Sequence, residues 1–489
     1  MADLKWWETA VIYQIYPRSF QDSNGDGIGD LKGITSRLEY IAELGIDAIW
    51  ISPFFMSPQR DFGYDISNYC DINPEYGTLA DFDEMIARIH GLGMKLMIDI
   101  VPAHCSDLHP WFEESRQSRD NPKADWFHWV DPNPDGTVPN NWLSFFGGQA
   151  WSWEPRRQQY YLHNFLSEQP NLNHANQEVR DALNQVARFW FDRGVDGFRL
   201  DAVHTINGDQ APYLDNTANP DFVPGDLPQQ QQPFFRQLHD VAQLNQPAIQ
   251  TFSENYRKIA DEYDGDRFLM GEVDGDKGCA MEVSKTFTDT GRLHATYNFD
   301  LLAWGGLSVD GLRNAINNAV DVFNGDQSDA MQLLLLKLET CLIGSSCVYQ
   351  GEELGLEDVT DIPVEQMQDP WGVKFAPAFL GRDTCRTPMV WEKSNQHGGF
   401  STADATWLPI SGQHLKRAGL DMAQTDGSIY RQFAQFLAWR KNQPAIMNAN
   451  TMSAVSGDTR TLVFDRISNA QTLRCTFDFD TLTASFEEI

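Results

Sequence analysis

Asp201 ends the run "GFRLD" and Glu272 ends "FLMGE". Runs this short and apolar become strands covered on both faces, and adjacent parallel strands bring such end residues within a few ångströms of each other. A retaining glycosidase needs two carboxyl groups about 5–5.5 Å apart, one attacking the anomeric carbon as an anion and one protonating the leaving oxygen. Arg199, two residues before Asp201, points to the same side of the strand and would hold that carboxylate charged. The apolar approach "FLMG" would favour a protonated Glu272 by desolvation. On spacing alone, structural ion pairs at two strand ends account for these residues equally well.

A second chemical pattern is "DSNGDGIGD", Asp22 to Asp30. Asp22, Asn24, Asp26, the Ile28 carbonyl and Asp30 alternate as the oxygen ligands of a calcium loop do, with Gly27 at the sharp turn. Position 33 is Gly, where an EF-hand carries its bidentate Glu, so a sensor loop is excluded. Asp30 is also placed to cap the following helix.

The elements that must position these residues alternate two periodicities. "AVIYQIYPRSF" and "DAIWISPFF" read as buried strands, and "DLKGITSRLEYIAELG" between them spaces Leu31, Ile34, Leu38, Ile41 and Leu44 as one amphipathic helix stopped at Gly45. "TLADFDEMIARIHGLG", capped by Thr78, precedes a third strand, "MKLMIDIV". Residues 104–173 interrupt with Pro, Gly, Asn and six Trp. The helix "NQEVRDALNQVARFWFDRG" restores the rhythm, with Val179, Leu183, Val186 and Trp190 on one face, and further strands follow at "GVDGFRLDAV", "RFLMGEV", "HATYNFDLL" and "SSCVYQGEEL". So many strand–helix units predict an α/β fold, a closed (β/α)8 TIM barrel with chemistry at the carboxyl ends of its strands. The expected division is a barrel over 1–103 and 174–443, an inserted loop-rich domain B over 104–173, and a small antiparallel β domain over 444–489, where "TRTLVFDRI" and "TLRCTFDF" alternate.

Composition narrows the function classes. The 489 residues are 42% hydrophobic and 12% aromatic, enough for a large core. A formal charge of −32, from 69 acidic against 37 basic residues, repels phosphate backbones and anionic lipid, so neither nucleic acid nor membrane is an expected partner. Seven scattered Cys without a C-x-x-C pair suit reduced thiols, and the N-terminus shows no basic-then-apolar leader, so the expected setting is cytoplasmic. The expected assembly is a monomer or homodimer.

"AVIYQIYPRSF", "GIDAIWISPFF", "FGYDISNY", "GFRLDAV", "GEV", "VYQGEELGL" and "CRTPMVW" occur in the order and spacing of the α-amylase superfamily (glycoside hydrolase family 13). With "YYLHNFLSEQPNLN" the chain resembles its bacterial α-glucosidase and oligo-1,6-glucosidase branch over about residues 6–440. The resemblance implies that Asp201 is the nucleophile and Glu272 the acid/base. It implies that Asp61, Tyr64, His104, Arg199 and Arg386 surround a non-reducing glucose, and that Phe146 and Phe165 wall the next subsite. It implies a structural Ca2+ (or Mg2+) at the Asp22–Asp30 loop and a small sugar as substrate. Ala202, beside the nucleophile, stands where a Val accompanies α-1,6 activity in this branch; the smaller side chain implies preference for maltose-like α-1,4 glucosides and sucrose over isomaltose.

Three departures accompany the resemblance. Ala103 and Asn171 stand where relatives have Asn and Asp. No "NHD" motif supplies the family's third carboxylate: "SVDGLRNAINNAVDVF" and "SDAMQLLLLKLETCLIG" are separated by Asn324, Gly325, Asp326 and Gln327 alone. Transglucosylation or sugar isomerisation on the same site is the nearest rival function. A barrel retained for interaction is the rival of another class, and the retained Asp201 and Glu272 weigh against it.

Overall fold

The computed structural model describes residues 4–208, 213–220, 237–239, 242–273, 280–297, 328–377, 379–448, 451–458 and 460–489. The chain divides into two compact units, one of Met1–Ser52, Glu75–Met97 and Asp300–Ile489, the other of Pro53–Pro74 and Ile98–Phe299.

Seven described strands make the main sheet: β1 (Val11–Ile15), β2 (Ala48–Ile51), β3 (Lys95–Ile100), β4 (Gly197–Leu200), β5 (Phe268–Gly271), β6 (Ala295–Thr296) and β7 (Ser346–Tyr349). Their order is β6-β5-β4-β3-β2-β1-β7, and the pairs β1–β7, β1–β2, β4–β5 and β5–β6 are parallel. β3 carries the chain from one unit into the other: Lys95 N donates to Asp47 O (3.0 Å) in the first, and Asp201 N donates to Ile100 O (2.8 Å) in the second. Every residue of β2, β4 and β5 is buried, as strands with both faces covered require. The sixth expected strand begins at Ala295; the rest of it lies outside the described residues.

Helices follow the apolar spacing. Leu79–Gly91 buries Phe82, Met85, Ile86 and Ile89, and Thr78 with Asp81 forms its capping box. Gln177–Asp192 buries Val179, Leu183, Val186 and Trp190 beneath an Asn176 cap. The helix expected across 30–45 is two helices, Leu31–Ser36 and Leu38–Leu44, broken at Arg37 (φ −113°, ψ 7°). Thr35 Oγ1 bonds back to Leu31 O and Ser36 Oγ to Gly33 O, so hydroxyls satisfy carbonyls at the break. Gly45 ends the second helix in the left-handed region, as read.

The Trp-rich stretch holds a three-stranded antiparallel sheet of Trp129–Val130, Gln159–Leu162 and Trp151–Glu154, with Trp142, Ala150, Trp151 and Leu162 packed as its core. Thr451–Met452, Thr461–Ile467, Thr472–Asp478 and Thr483–Glu488 form a four-stranded antiparallel sheet at the C-terminal end.

Candidate active site

The site is set by register. Arg199 in β4 lies opposite Met270 in β5, and Leu200 opposite Gly271. The ladder continues past the strand ends: Glu272 N donates to Leu200 O (2.9 Å) and Val203 N to Glu272 O (3.1 Å). Between these bonds Ala202 takes the left-handed conformation (φ 43°), which turns its N–H onto Glu272 Oε2 at 2.9 Å. Asp201 and Glu272 therefore leave adjacent strand ends side by side.

One guanidinium holds both. Arg199 Nη1 lies 2.5 Å from Asp201 Oδ1 and 3.0 Å from Asp99 Oδ1, while Nη2 lies 2.8 Å from Glu272 Oε2. Three carboxyl groups share one cation, with Asp99 buried and a quarter of the Glu272 side chain exposed. Burial pushes Asp201 well above the usual carboxylate range; Arg199 opposes this, and the charges on Glu272 and Asp99 add to it. Burial also penalises a charged Glu272, but Arg199, nearby His204 and the Ala202 N–H outweigh it and hold Glu272 below its ordinary value. Arg199 serves both acids rather than Asp201 alone, and Glu272 has the additional backbone donor.

The sugar-binding candidates of the same unit surround this cluster. Tyr64 OH donates to Asp99 Oδ2 (3.3 Å), and Arg199 lies 6.0 Å from the centre of its ring. His104 Nε2 is 3.1 Å from Tyr64 O, and burial pushes its pKa down to about 4, so the ring is neutral at pH 7. Asp61 is buried and accepts from Gln169 Nε2 at 3.1 Å. Phe165 lies beside His104 (centroids 5.0 Å) and Phe146 lies behind Phe165 (6.2 Å).

Sequence reading missed Phe145, which touches both Phe165 (5.2 Å) and His204 (6.1 Å), and Gln169, whose motif "QPNLN" it quoted for family placement only. Asn171 uses its departure from Asp: its Nδ2 donates to Thr205 O at 3.1 Å, which a carboxylate cannot do. Arg386 belongs to the other unit, where it lies 4.8 Å over Tyr16 and its Nη1 is 3.8 Å from Asp369 Oδ1.

The Asp22–Asp30 loop also lies in that other unit. Asp22 accepts from the N–H groups of Asn24 (2.9 Å), Gly25 (2.8 Å) and Gly27 (2.8 Å) and from Ser401 Oγ (2.5 Å). Asp26 accepts from Ile28 N (2.9 Å), and Asp30 accepts from Ser23 N (2.8 Å) and caps the helix through Gly33 N (2.7 Å). Gly27 (φ 88°) has no room for a side chain, since a Cβ there would stand 2.3 Å from Ala405 O. By type the donors fit a hard cation; by placement they accept hydrogen bonds from the loop itself. Among the described residues no group of three or more His, Cys, Asp or Glu is placed to hold a metal ion.

A family profile described as "Alpha amylase, catalytic domain" matches residues 14–324 and 317–449. Its two segments meet where the sequence lacks the third carboxylate, in a stretch, 298–327, outside the described residues. The chain belongs to the α-amylase family. It is 47% identical over 475 residues to "Probable alpha-glucosidase" of Rhizobium meliloti (strain 1021), covering 91% of this chain and 84% of that protein. It is 34% identical over 537 residues to "Oligo-1,6-glucosidase" of Halalkalibacterium halodurans, covering 99% and 92%. Among solved structures, the alpha-glucosyl transfer enzyme XgtA superposes with a TM-score of 0.90 at 42% identity, covering 97% of this chain and 91% of that one. The main sheet and the C-terminal antiparallel sheet are those of the family fold.

Proposed function

We propose that the chain is a retaining, exo-acting α-glucosidase that hydrolyses short α-glucosides through a covalent glucosyl-enzyme. The observation that carries this reading is the single guanidinium of Arg199 gripping Asp201 and Glu272 together, which keeps the two carboxyl groups within reach of one glycosidic bond. Relatives named α-glucosidase and oligo-1,6-glucosidase support it.

The chemistry follows from the shared proton. Asp201 and Glu272, joined through the Arg199 guanidinium, share one proton between them. Glu272, on the more exposed position, swings from Arg199 and the Ala202 N–H to the glycosidic oxygen, taking the proton as it leaves the cation. Asp201 then keeps Arg199 and is ionised to attack the anomeric carbon. Glu272 gives its proton to the leaving oxygen and afterwards draws one from water, which releases glucose with its configuration retained. Asp61, Tyr64 and His104 hold the glucose, and Phe146 and Phe165 flank the next sugar.

Release of glucose from maltose, lost in Asp201→Asn, tests the reading; a wild-type protein inert on every α-glucoside sinks it. Ala202 supports faster cleavage of maltose than of isomaltose, and equal rates would refute that preference. The likeness to an α-glucosyl transfer enzyme favours transfer to a sugar acceptor as a second reading. Product analysis at high sugar concentration separates the two.

The same reading includes a Ca2+ or Mg2+ at Asp22, Asn24, Asp26, the Ile28 carbonyl and Asp30. A bound cation would neutralise the carboxylates of the loop. Titration of the metal-free protein by calorimetry decides it, absence of heat excluding the ion. The reading includes a cytoplasmic monomer or homodimer; the relatives support a small sugar as its ligand, and the acidic charge weighs against nucleic-acid and anionic-membrane partners. No described helix is long and apolar enough to cross a membrane.

A further inference from the structure

The loop that carries Asp61 and Tyr64 is strained. Gln59 (φ 62°), Phe62 (φ 46°) and Gly63 (φ 103°) all have positive φ, and the first two carry side chains that disfavour it. The buried Asp65 carboxylate ties the loop from inside, accepting from Ser57 Oγ (2.9 Å), Arg60 N (2.8 Å) and Asp61 N (3.0 Å). Those bonds fix the backbone of Asp61 and leave the direction of its carboxylate to other groups.

Gln169 reaches that carboxylate from a different segment. The residue is fully buried, and its amide cannot flip: Oε1 accepts from Leu166 N at 3.0 Å, while the Gln169 N–H donates to Leu166 O at 2.9 Å. The opposite end of the amide, Nε2, is thereby aimed at Asp61 Oδ2 (3.1 Å) and His104 Nε2 (3.2 Å). His104 in turn meets Tyr64 O, Tyr64 OH meets Asp99, and Asp99 meets Arg199. A neutral His104 uses Nε2 either to accept from Gln169 or to donate to Tyr64 O; with its proton on the Tyr64 carbonyl, the Gln169 NH2 is left to the Asp61 carboxylate, while Tyr64 leads on to Asp99 and Arg199.

We infer that Gln169 is a positioning residue for the glucosyl site, holding the Asp61 carboxylate beside the His104 ring in the geometry that captures the non-reducing sugar. The inference rests on the α-glucosidase reading and deepens it. The hydrogen bonds of Gln169 go to Leu166 and the Asp61 carboxylate rather than to Asp201 or Glu272, so its effect falls on sugar capture before it falls on the chemical step.

Gln169→Glu is the decisive variant: it keeps the shape and replaces the NH2 donor with an oxygen that faces the Asp61 carboxylate. Assayed on p-nitrophenyl α-glucoside, it raises KM about tenfold or more with kcat within about threefold of wild type, the loss of a hydrogen bond to a charged group. A series of monodeoxy p-nitrophenyl α-glucosides then supplies a readout that simple loosening would not move. Asp61→Asn identifies the substrate lacking the hydroxyl that Asp61 holds, as the one on which it performs like wild type. On that substrate the penalty of Gln169→Glu also disappears.

An equal penalty on every deoxy substrate, a fall in kcat at constant KM, or wild-type kinetics overturns the inference. Where thermal melting shows Gln169→Glu unfolded in the assay, Gln169→Met takes its place: a raised KM supports the inference, and an unchanged KM overturns it. A wild-type protein inactive on the parent glucoside refutes the α-glucosidase reading itself, an outcome distinct from active wild type with indifferent Gln169 variants.

Discussion

The Asp99–Asp201–Glu272 cluster and the Asp22–Asp30 loop are both built from clustered carboxyl groups, and they are held by opposite means. In the cluster one guanidinium serves three acids. In the loop Asp22 alone has three backbone N–H groups and a hydroxyl. Fixed amides hold each acid independently, whereas a shared cation couples the acids, so that protonating one strengthens the hold on the others. Coupling lets a proton move during a reaction; independence makes a rigid turn. Acidic residues in a sequence do not declare which of the two they will be.

Removing the shared cation should break the contrast most. Arg199→Met leaves buried carboxyl groups without their partner, and the expected loss is about 3–5 kcal/mol of stability with activity abolished. Chemical denaturation measures it; a loss as small as that of a surface pair would mean that the cluster is held by other groups.

Asp65 sharpens the comparison because it is buried yet tied by hydrogen bonds, like the loop acids. Burial pushes it from 3.8 to about 6, with the Asp61 and Arg60 amides opposing. Between those values the native state holds a proton that the unfolded chain has released. Its contribution is therefore fully present below the lower value and declines as pH rises toward the upper one, by roughly 3 kcal/mol in total. Asp65→Asn should flatten the pH dependence of the unfolding free energy in that window, and an unchanged slope would contradict it.

In the loop, Asp22→Ala orphans four donors at once and should lower stability by about 2 kcal/mol, seen as a shift of the denaturation midpoint. The smallest expected effect is that of Ala202→Val. A β-branched residue at φ 43° costs about 1–2 kcal/mol. The same change displaces the N–H that anchors Glu272, so kcat/KM for maltose should fall with it. A variant as active and as stable as wild type would show that the left-handed turn tolerates branching.

Much of the fold was legible because it is periodic. Val179, Leu183, Val186 and Trp190 lie on one helical face by spacing alone, and the apolar runs of β2, β4 and β5 report burial on both sides. The helix break at Arg37 was not legible, since it depends on the Thr35 and Ser36 hydroxyls choosing backbone carbonyls over solvent. At the site, Asp201 and Glu272 were visible as strand ends. The Ala202 N–H bond to Glu272 was not, because it exists only in the turned conformation. Gln169 was hidden for a related reason: an amide becomes informative once its carbonyl is pinned and its NH2 has one direction left to point.

Among the described residues one guanidinium faces the three acids, which leaves the cluster short of positive charge. A sugar-sized ligand bearing a protonated nitrogen near its anomeric position would supply the missing charge and compete with neutral glucosides, tightening as alkalinity strips protons from the acids until the nitrogen gives up its own. Selective inhibitors of this chain would then be weak bases first and sugar mimics second.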